Sequence, residues 1–256
     1  MSMADKVREW LEGEGFPLEM RTAAAFRSAG FEVRQSSYYL DPESGKGREI
    51  DVVATDPDTL GLVQIHVVIE CKSGKTPWIL LTSEDALSGY NRLFALGVLS
   101  QDALASLADR AGELMNSFPW LRKSNRNGYA LRRAFGGDSD VAYSAAMGVA
   151  KACGHLVRPP DTEWRAPFIL AFPVIVVDTP LIECTLESNG HLRLEDISQG
   201  EFLFDTRLPH YSGCCIRVVT QAHISAFARE AKSAADELRA ALKPDEEKRK
   251  KAWRKS

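Results

Sequence analysis

The sequence predicts a single mixed α/β domain, with helices on both faces of a central sheet. Helical and strand periodicities alternate along the chain, and no repeat or long linker divides it. The 256 residues are enough for one domain with a sizeable core. Apolar residues make up 45% and charged residues 26%, which is typical of a globular protein and excludes a disordered or collagen-like chain.

The chain carries no sign of export or membrane insertion. Its longest uncharged apolar stretch, residues 166–177, has twelve residues and two prolines, which is too short for a membrane span. Charged residues near the N-terminus leave no room for the apolar part of a signal peptide. The five cysteines form no C-x-x-C pair, and their odd number argues against a disulfide framework. These features predict a cytoplasmic protein without a membrane partner.

The N-terminal part predicts two helices and a three-stranded meander. The first helix is expected over residues 4–12, and the second begins at Pro17 and ends at Gly30. Proline suits a first helical turn, and glycine suits the residue that follows a helix. Three segments with strand patterns come next, separated by clusters of turn residues, at 31–39, 49–55 and 62–72.

The remaining chain predicts two helical regions, five strands and a final helix. Residues 77–82 are expected to be extended, and Ser83 to cap a helical region that reaches Asn116 with a break near 97–100. A helix rich in small residues is expected over 140–153. The predicted strands are 168–177, 181–186, 191–194, 201–204 and 214–220. One apolar stripe marks the final helix, and it consists of Ile224, Phe227, Ala228, Ala231, Ala235, Leu238 and Leu242.

Basic residues are concentrated in two segments, although the net charge is −3. Residues 243–256 hold seven basic and three acidic residues, so we predict a single domain over 1–242 and a basic C-terminal tail over 243–256. The segment 114–137 contains no acid and is interleaved with aromatic residues. It either grips phosphates and stacks on bases, or it is a solvated loop around a buried tryptophan. Its candidate nucleic-acid-binding residues are Arg122, Lys123, Arg126, Arg132 and Arg133.

Charged residues interrupt two strands that are otherwise suited to a core. Because side chains alternate along a strand, Glu70 and Lys72 share the face opposite to the apolar one. Asp51 lies on the preceding strand, and it faces Glu70 if the intervening turn is centred near Leu60 and Gly61. Charged groups in such places cost free energy unless they pair or bind something.

A hard-cation site explains this pattern. Asp51 and Glu70 are the predicted Mg²⁺ ligands, with the carbonyl oxygen of Cys71 as a further ligand. Such an ion lowers the pKa of a bound water and stabilises charge on a phosphate. Lys72 can orient that water or stabilise charge in the transition state. The alternative interpretation is a surface ion pair between Lys72 and one of the two carboxylates.

At this point the chain resembles the PD-(D/E)XK, or restriction-endonuclease-like, nuclease superfamily. The resemblance covers residues 16–82 and rests on a helix with Glu19, a strand with Asp51, and a strand that ends Ile69-Glu70-Cys71-Lys72. It implies an αβββαβ core with a mixed central sheet flanked by helices, here extended by C-terminal strands and a helix. It also implies that Asp51 and Glu70 bind Mg²⁺ or Mn²⁺, that Lys72 is the catalytic lysine and that Glu19 is a further catalytic acid. Isoleucine, not proline, precedes Asp51, as in many members.

The resemblance implies a metal-dependent nuclease that hydrolyses phosphodiester bonds, with DNA as the expected substrate. Two alternatives stay open: an inactive nuclease-like module that binds nucleic acid or assembles with other proteins, and a hydrolase of another phosphate ester. Members of the superfamily often serve in restriction, phage defence or DNA repair, so a homodimer or a partner protein of such a system is a further option. The sequence leaves the mode of cleavage, the specificity and the oligomeric state open.

Overall fold

A computed structural model describes the protein as an α/β fold with one mixed sheet of eleven strands, flanked by helices. The coarse fold prediction is therefore confirmed. The residues that the structure describes are 1–41, 43–121, 127–136, 140–158, 167–208 and 211–253. Within these ranges, no helix combines the length and the apolar character that a membrane span requires.

The predicted N-terminal helices and meander are present. Helices α1 (Met3–Gly13) and α2 (Phe16–Ser28) precede the antiparallel strands β1 (Glu32–Leu40), β2 (Gly47–Asp56) and β3 (Val63–Lys72). The β2–β3 pairs run from Val52↔Ile69 to Asp56↔Ile65, which centres the turn between Leu60 and Gly61 as expected. Asp58 fixes this turn, because its carboxylate accepts hydrogen bonds from the backbone of Leu60 and Val63.

The next part of the chain differs from the prediction. The structure has β4 (Trp78–Ser83), α3 (Arg92–Ala95), β5 (Val98–Leu99), α4 (Gln101–Ala108), α5 (Ala111–Ser117) and β6 (Asn127–Arg133). Ser83 does not cap a helix, since β4 pairs with strands on both sides and these hydrogen bonds extend the strand through Ser83. Asn91 and Ser100 cap α3 and α4 instead. The predicted break at 97–100 is confirmed as β5.

The C-terminal half follows the prediction closely. It contains α6 (Val141–Leu156), β7 (Phe168–Val177), β8 (Leu181–Leu186), β9 (Leu192–Ile197), β10 (Gln199–Leu208), β11 (Tyr211–Thr220) and α7 (Ile224–Trp253). The long strand path of the sheet is β1-β2-β3-β7-β11-β10-β6-β4-β8-β9, and β5 pairs with β7. Strand β7 runs parallel to both β3 and β11 at the centre of this path.

Two hydrophobic cores cover the two faces of the sheet. Alternate residues of β7 belong to different cores: Phe172 and Val174 face α2, α4 and α7, whereas Ala171 and Ile175 face α6. Because β7 is buried on both faces, its sequence is a continuous apolar run, as is usual for parallel strands. The predicted stripe of α7 is buried along its whole length.

Helix α7 is fixed to the meander by charge as well as by packing. Buried Asp56, at the end of β2, is 2.9 Å from Lys232 and accepts a 2.8 Å hydrogen bond from Arg239. The helix then continues to Trp253, through most of the predicted tail. In that segment Arg249 pairs with Asp102 and lies 3.7 Å from the ring of Phe168. The helical part of the tail thus packs on the body.

A buried ion pair joins α6 to the loop after β1. The Lys151 ammonium lies 3.1 Å from the Asp41 carboxylate, and only 4% of the Asp41 side chain is exposed. A backbone hydrogen bond from Glu43 opposes the effect of burial and, with Lys151 and Ser44, holds the pKa of Asp41 well below its usual value. A carboxyl group with a lowered pKa stabilises the fold at neutral pH, and this contribution declines as the pH falls below about 4.

We therefore expect Lys151→Met to lower the free energy of unfolding by about 2 kcal/mol at pH 7, since it leaves a buried carboxylate short of a partner. The loss should shrink as the pH is lowered below about 4, because the Asp41 carboxyl group of the variant, which lacks Lys151, then takes up a proton. Urea unfolding between about pH 3 and about pH 7, a range that includes the usual pKa of an aspartate carboxyl group, measures this loss. Exposed Lys46→Met is the control. A loss that does not change with pH would contradict the role given to the pair.

Candidate functional site

The three predicted central residues converge at the carboxyl end of β3. Glu70 and Lys72 share one face of the strand, and the Lys72 ammonium lies 2.6 Å from a carboxylate oxygen of Glu70. Both side chains are half-buried, with 18% of Glu70 and 29% of Lys72 exposed. Above them, α6 presents Gly148, whose missing side chain leaves space beside Glu70: a Cβ atom there would lie 3.9 Å from its carboxylate.

Asp51 reaches the same place through a break in β2. On one side of it Val52 joins the α2–α7 core, whereas Ile50 joins the α6 core, so the strand's alternation is interrupted between them. The β1–β2 ladder is interrupted at the same point, where Ser36 has a φ of 50°. The result is that the Asp51 carboxylate accepts a 2.7 Å hydrogen bond from the backbone N–H of Cys71.

Cys71 contributes to the site through its backbone and not through its side chain. Its N–H serves Asp51, whereas its thiol is buried in the α2–α7 core, 3.8 Å from the Thr22 hydroxyl. Burial raises the pKa of this thiol, which favours its protonated form at neutral pH. The role predicted for the Cys71 carbonyl oxygen stays a prediction.

Glu19, in the first turn of α2, joins the acidic group. Burial raises its pKa to about 7, and the negative charges of Asp51, Glu49 and Glu70 contribute in the same direction. Burial also raises the pKa values of Asp51 and Glu70. Burial alone would lower the pKa of Lys72, but the Glu70 carboxylate raises it on balance. Three carboxyl groups, those of Glu19, Asp51 and Glu70, thus interact with the one ammonium group of Lys72, and this excess of negative charge favours binding of a cation.

The donor set fits a hard cation, although it is not a complete cage. Among the described parts of the chain, no three His, Cys, Asp or Glu residues are grouped so that they could hold a metal by themselves. Mg²⁺ does not require such a group, because it commonly uses one or two carboxylates and completes its shell with water and substrate phosphates. Asp51 and Glu70 provide the two carboxylates.

The predicted nucleic-acid-binding residues are only partly described. Arg122, Lys123 and Arg126 lie outside the described residues. Arg132 and Arg133 lie on β6, a strand that the sequence analysis did not predict because its polar residues hide the strand pattern. Arg133 donates a 3.0 Å hydrogen bond to the hydroxyl of Thr76, four residues after Lys72. Sequence reasoning also missed Gly148 and Ser36, which no motif marks.

Comparison with known proteins found no significant similarity. Neither the protein-family models, nor the curated proteins, nor the solved structures contain a significant match.

The raised pKa of Glu19 has a consequence for stability. A carboxyl group whose pKa is raised by folding stabilises the fold in its protonated form, and this contribution is lost as the pH rises through about 7. Glu19→Gln removes the charge, so we expect it to increase the free energy of unfolding by about 1 kcal/mol near pH 8, after allowance for solvent screening. Near pH 4, about the usual pKa of glutamate, the difference should almost vanish.

Urea unfolding at the two pH values, with exposed Glu12→Gln as the control, tests this expectation. Addition of Mg²⁺ should narrow the difference at the higher pH, because a bound cation offsets the negative charge in the wild type and stabilises its folded state. A destabilising effect of Glu19→Gln at high pH would show that its carboxylate is favourably paired.

Proposed function

We propose that this protein is a Mg²⁺-dependent nuclease that hydrolyses phosphodiester bonds, most simply in DNA. The observation that supports it best is the convergence of Asp51, Glu70 and Lys72 at the end of β3, where the Asp51 carboxylate is held by the Cys71 N–H. Neutral or apolar side chains at such half-buried positions would avoid the free-energy cost of burying charges, and a catalytic role would account for that cost.

The order of elements is a second support. Helix α2, strands β1 to β3, helix α6 and strand β7 follow one another in the αβββαβ order of restriction-endonuclease-like nucleases, with further elements inserted between β3 and α6. Strand β7 lies next to β3 and parallel to it, so that α6 crosses the sheet face on which Glu70 lies. We infer membership of that superfamily from this order and from the site together.

In the proposed reaction, Asp51 and Glu70 would hold Mg²⁺, with the Cys71 carbonyl oxygen. When bound, this ion would neutralise charge on the phosphate and make a coordinated water more acidic. Lys72, positioned by Glu70 at 2.6 Å, would orient the attacking water and stabilise charge that develops on the phosphate. Glu19, whose carboxyl group interacts with the charges of Asp51 and Glu70, would exchange a proton with solvent.

Lys72→Ala should reduce Mg²⁺-dependent cleavage about a hundredfold or more, since it removes a group that stabilises the transition state. Asp51→Ala and Glu70→Ala should abolish it. Cleavage of plasmid, linear duplex, single strands and RNA, with Mg²⁺ or Mn²⁺ and with EDTA, measures this. Circular dichroism of each variant should report an unchanged fold.

A matched control exists on β9, where Arg193 and Glu195 form another ion pair between residues two apart on a strand, at 3.1 Å. Arg193→Ala should leave cleavage unchanged. Full cleavage by Lys72→Ala would refute the mechanism. Binding of nucleic acid by the wild type without any cleavage would instead favour the inactive module, and hydrolysis of small phosphate esters alone would favour the third hypothesis.

A further inference from the structure

A groove with aromatic and basic walls lies against α6, the helix that also passes Glu70 of the acidic site. It has a volume of about 260 Å³ and lies between β6, the first turns of α6 and β10. It exists because β6 and β10, as far as the structure describes them, are paired at one position, Gly128 with Phe202, and separate beyond it. Ala142 and Ala146 of α6 line the groove with small side chains, and Tyr129 and Tyr143 with larger ones.

Backbone irregularities expose two aromatic side chains at β6. The β4–β6 register shifts by one residue between Leu81 and Thr82, which makes Tyr129 the extra residue of a bulge, and its side chain is 54% exposed. Bulges of this kind redirect a side chain and are frequent beside active sites. Just after β6, Phe135 has a φ of 53°, which is strained for an aromatic residue, and it is 90% exposed. Burial of its ring therefore offsets little of this strain.

The surroundings of the groove suit an anionic chain. The Arg132 side chain is 56% exposed, and its ion pair with Asp140 is long, at 3.8 Å, so that a phosphate can replace that partner at little cost. Asp205 of β10 also lines the groove, so its basic character is confined to the side of Arg132. Arg133, which follows Arg132 on β6, donates a hydrogen bond to Thr76 in the segment that follows Lys72. The groove and the acidic site therefore adjoin the same loop.

We propose that Tyr129, Phe135, Tyr143 and Arg132 form a platform that binds unpaired bases of a single-stranded nucleic acid. Exposed rings stack on any base whose face is free, whereas a duplex keeps its base faces covered. Arg132 binds the backbone between the stacked bases, and Arg133 keeps the platform in place against the loop after Lys72. This inference rests on the proposed function and narrows it: the preferred substrate contains a single-stranded segment.

The test measures binding in EDTA, where no cleavage occurs, with fluorescein-labelled dT15, U15 and a 15-base-pair duplex as probes (about four times the smallest stretch that one single-strand-binding domain covers). Wild type should bind dT15 or U15 more tightly than duplex. Tyr129→Ala and Tyr143→Ala should each weaken this binding about tenfold. Phe94→Ala is the matched control, since Phe94 is 43% exposed on α3, away from the groove.

Phe135→Gly separates a binding role from a structural one. Glycine adopts a positive φ without strain, so the variant should be at least as stable to heat as the wild type, and yet bind dT15 about tenfold more weakly. Equal binding of duplex and dT15, or unchanged binding by Phe135→Gly, would overturn the proposal. So would a change in oligomeric state in that variant, because the ring would then belong to a protein interface.

The outcomes for the platform and for the nuclease are distinguishable. Cleavage that shows no preference for single-stranded segments, together with no loss of binding in the platform variants, would leave the nuclease in place and remove the platform. Selective binding of dT15 without any cleavage in Mg²⁺ would keep the platform and remove the nuclease.

Discussion

The register between β2 and β3 is the constraint on which the site depends. A slip of one residue would exchange the two faces of a strand. Residues of β2 and β3 that pack in one core would then face the other core. The Asp58 turn and the two cores exclude such a slip, and the register then brings Asp51 level with Glu70. The site is thus positioned by the most buried part of the molecule, although its own residues contribute little to the core.

The buried charges of the site lower the stability of this otherwise well-packed centre. Three of its carboxyl groups have raised pKa values because burial disfavours their charged forms, and Lys72 balances only part of the negative charge. The surrounding structure offsets part of this cost, since the Cys71 N–H donates a hydrogen bond to Asp51. Strain and destabilisation of this kind are expected where a site is built for binding or chemistry.

Sequence patterns predicted the elements whose pattern follows directly from burial. The bounds of β7 and β8 were predicted to the residue, since one is a continuous apolar run and the other is framed by turn residues. The placement of Asp51 was predicted only in part: the register follows from the turn, but the break opposite Ser36 depends on a backbone angle that serine seldom adopts. Strand β6 was missed because its pairing with β4, not its sequence, makes it a strand. The helix predicted to begin after Ser83 does not begin there for a similar reason, because strand pairing holds Ser83 in β4.

The distribution of charge indicates how nucleic acid would be held. Three of the basic residues of α7 that suggested a cationic tail pair within the protein: Lys250 with Glu246 and Glu247, Lys248 with Asp245, and Arg249 with Asp102. These three cations are therefore less available to neutralise phosphates. In the proposed complex, cations such as Arg132 and groups that act without charge would supply further contacts. Exposed aromatic rings are such groups, and in the proposed complex they would bind bases without depending on the charge of the surface.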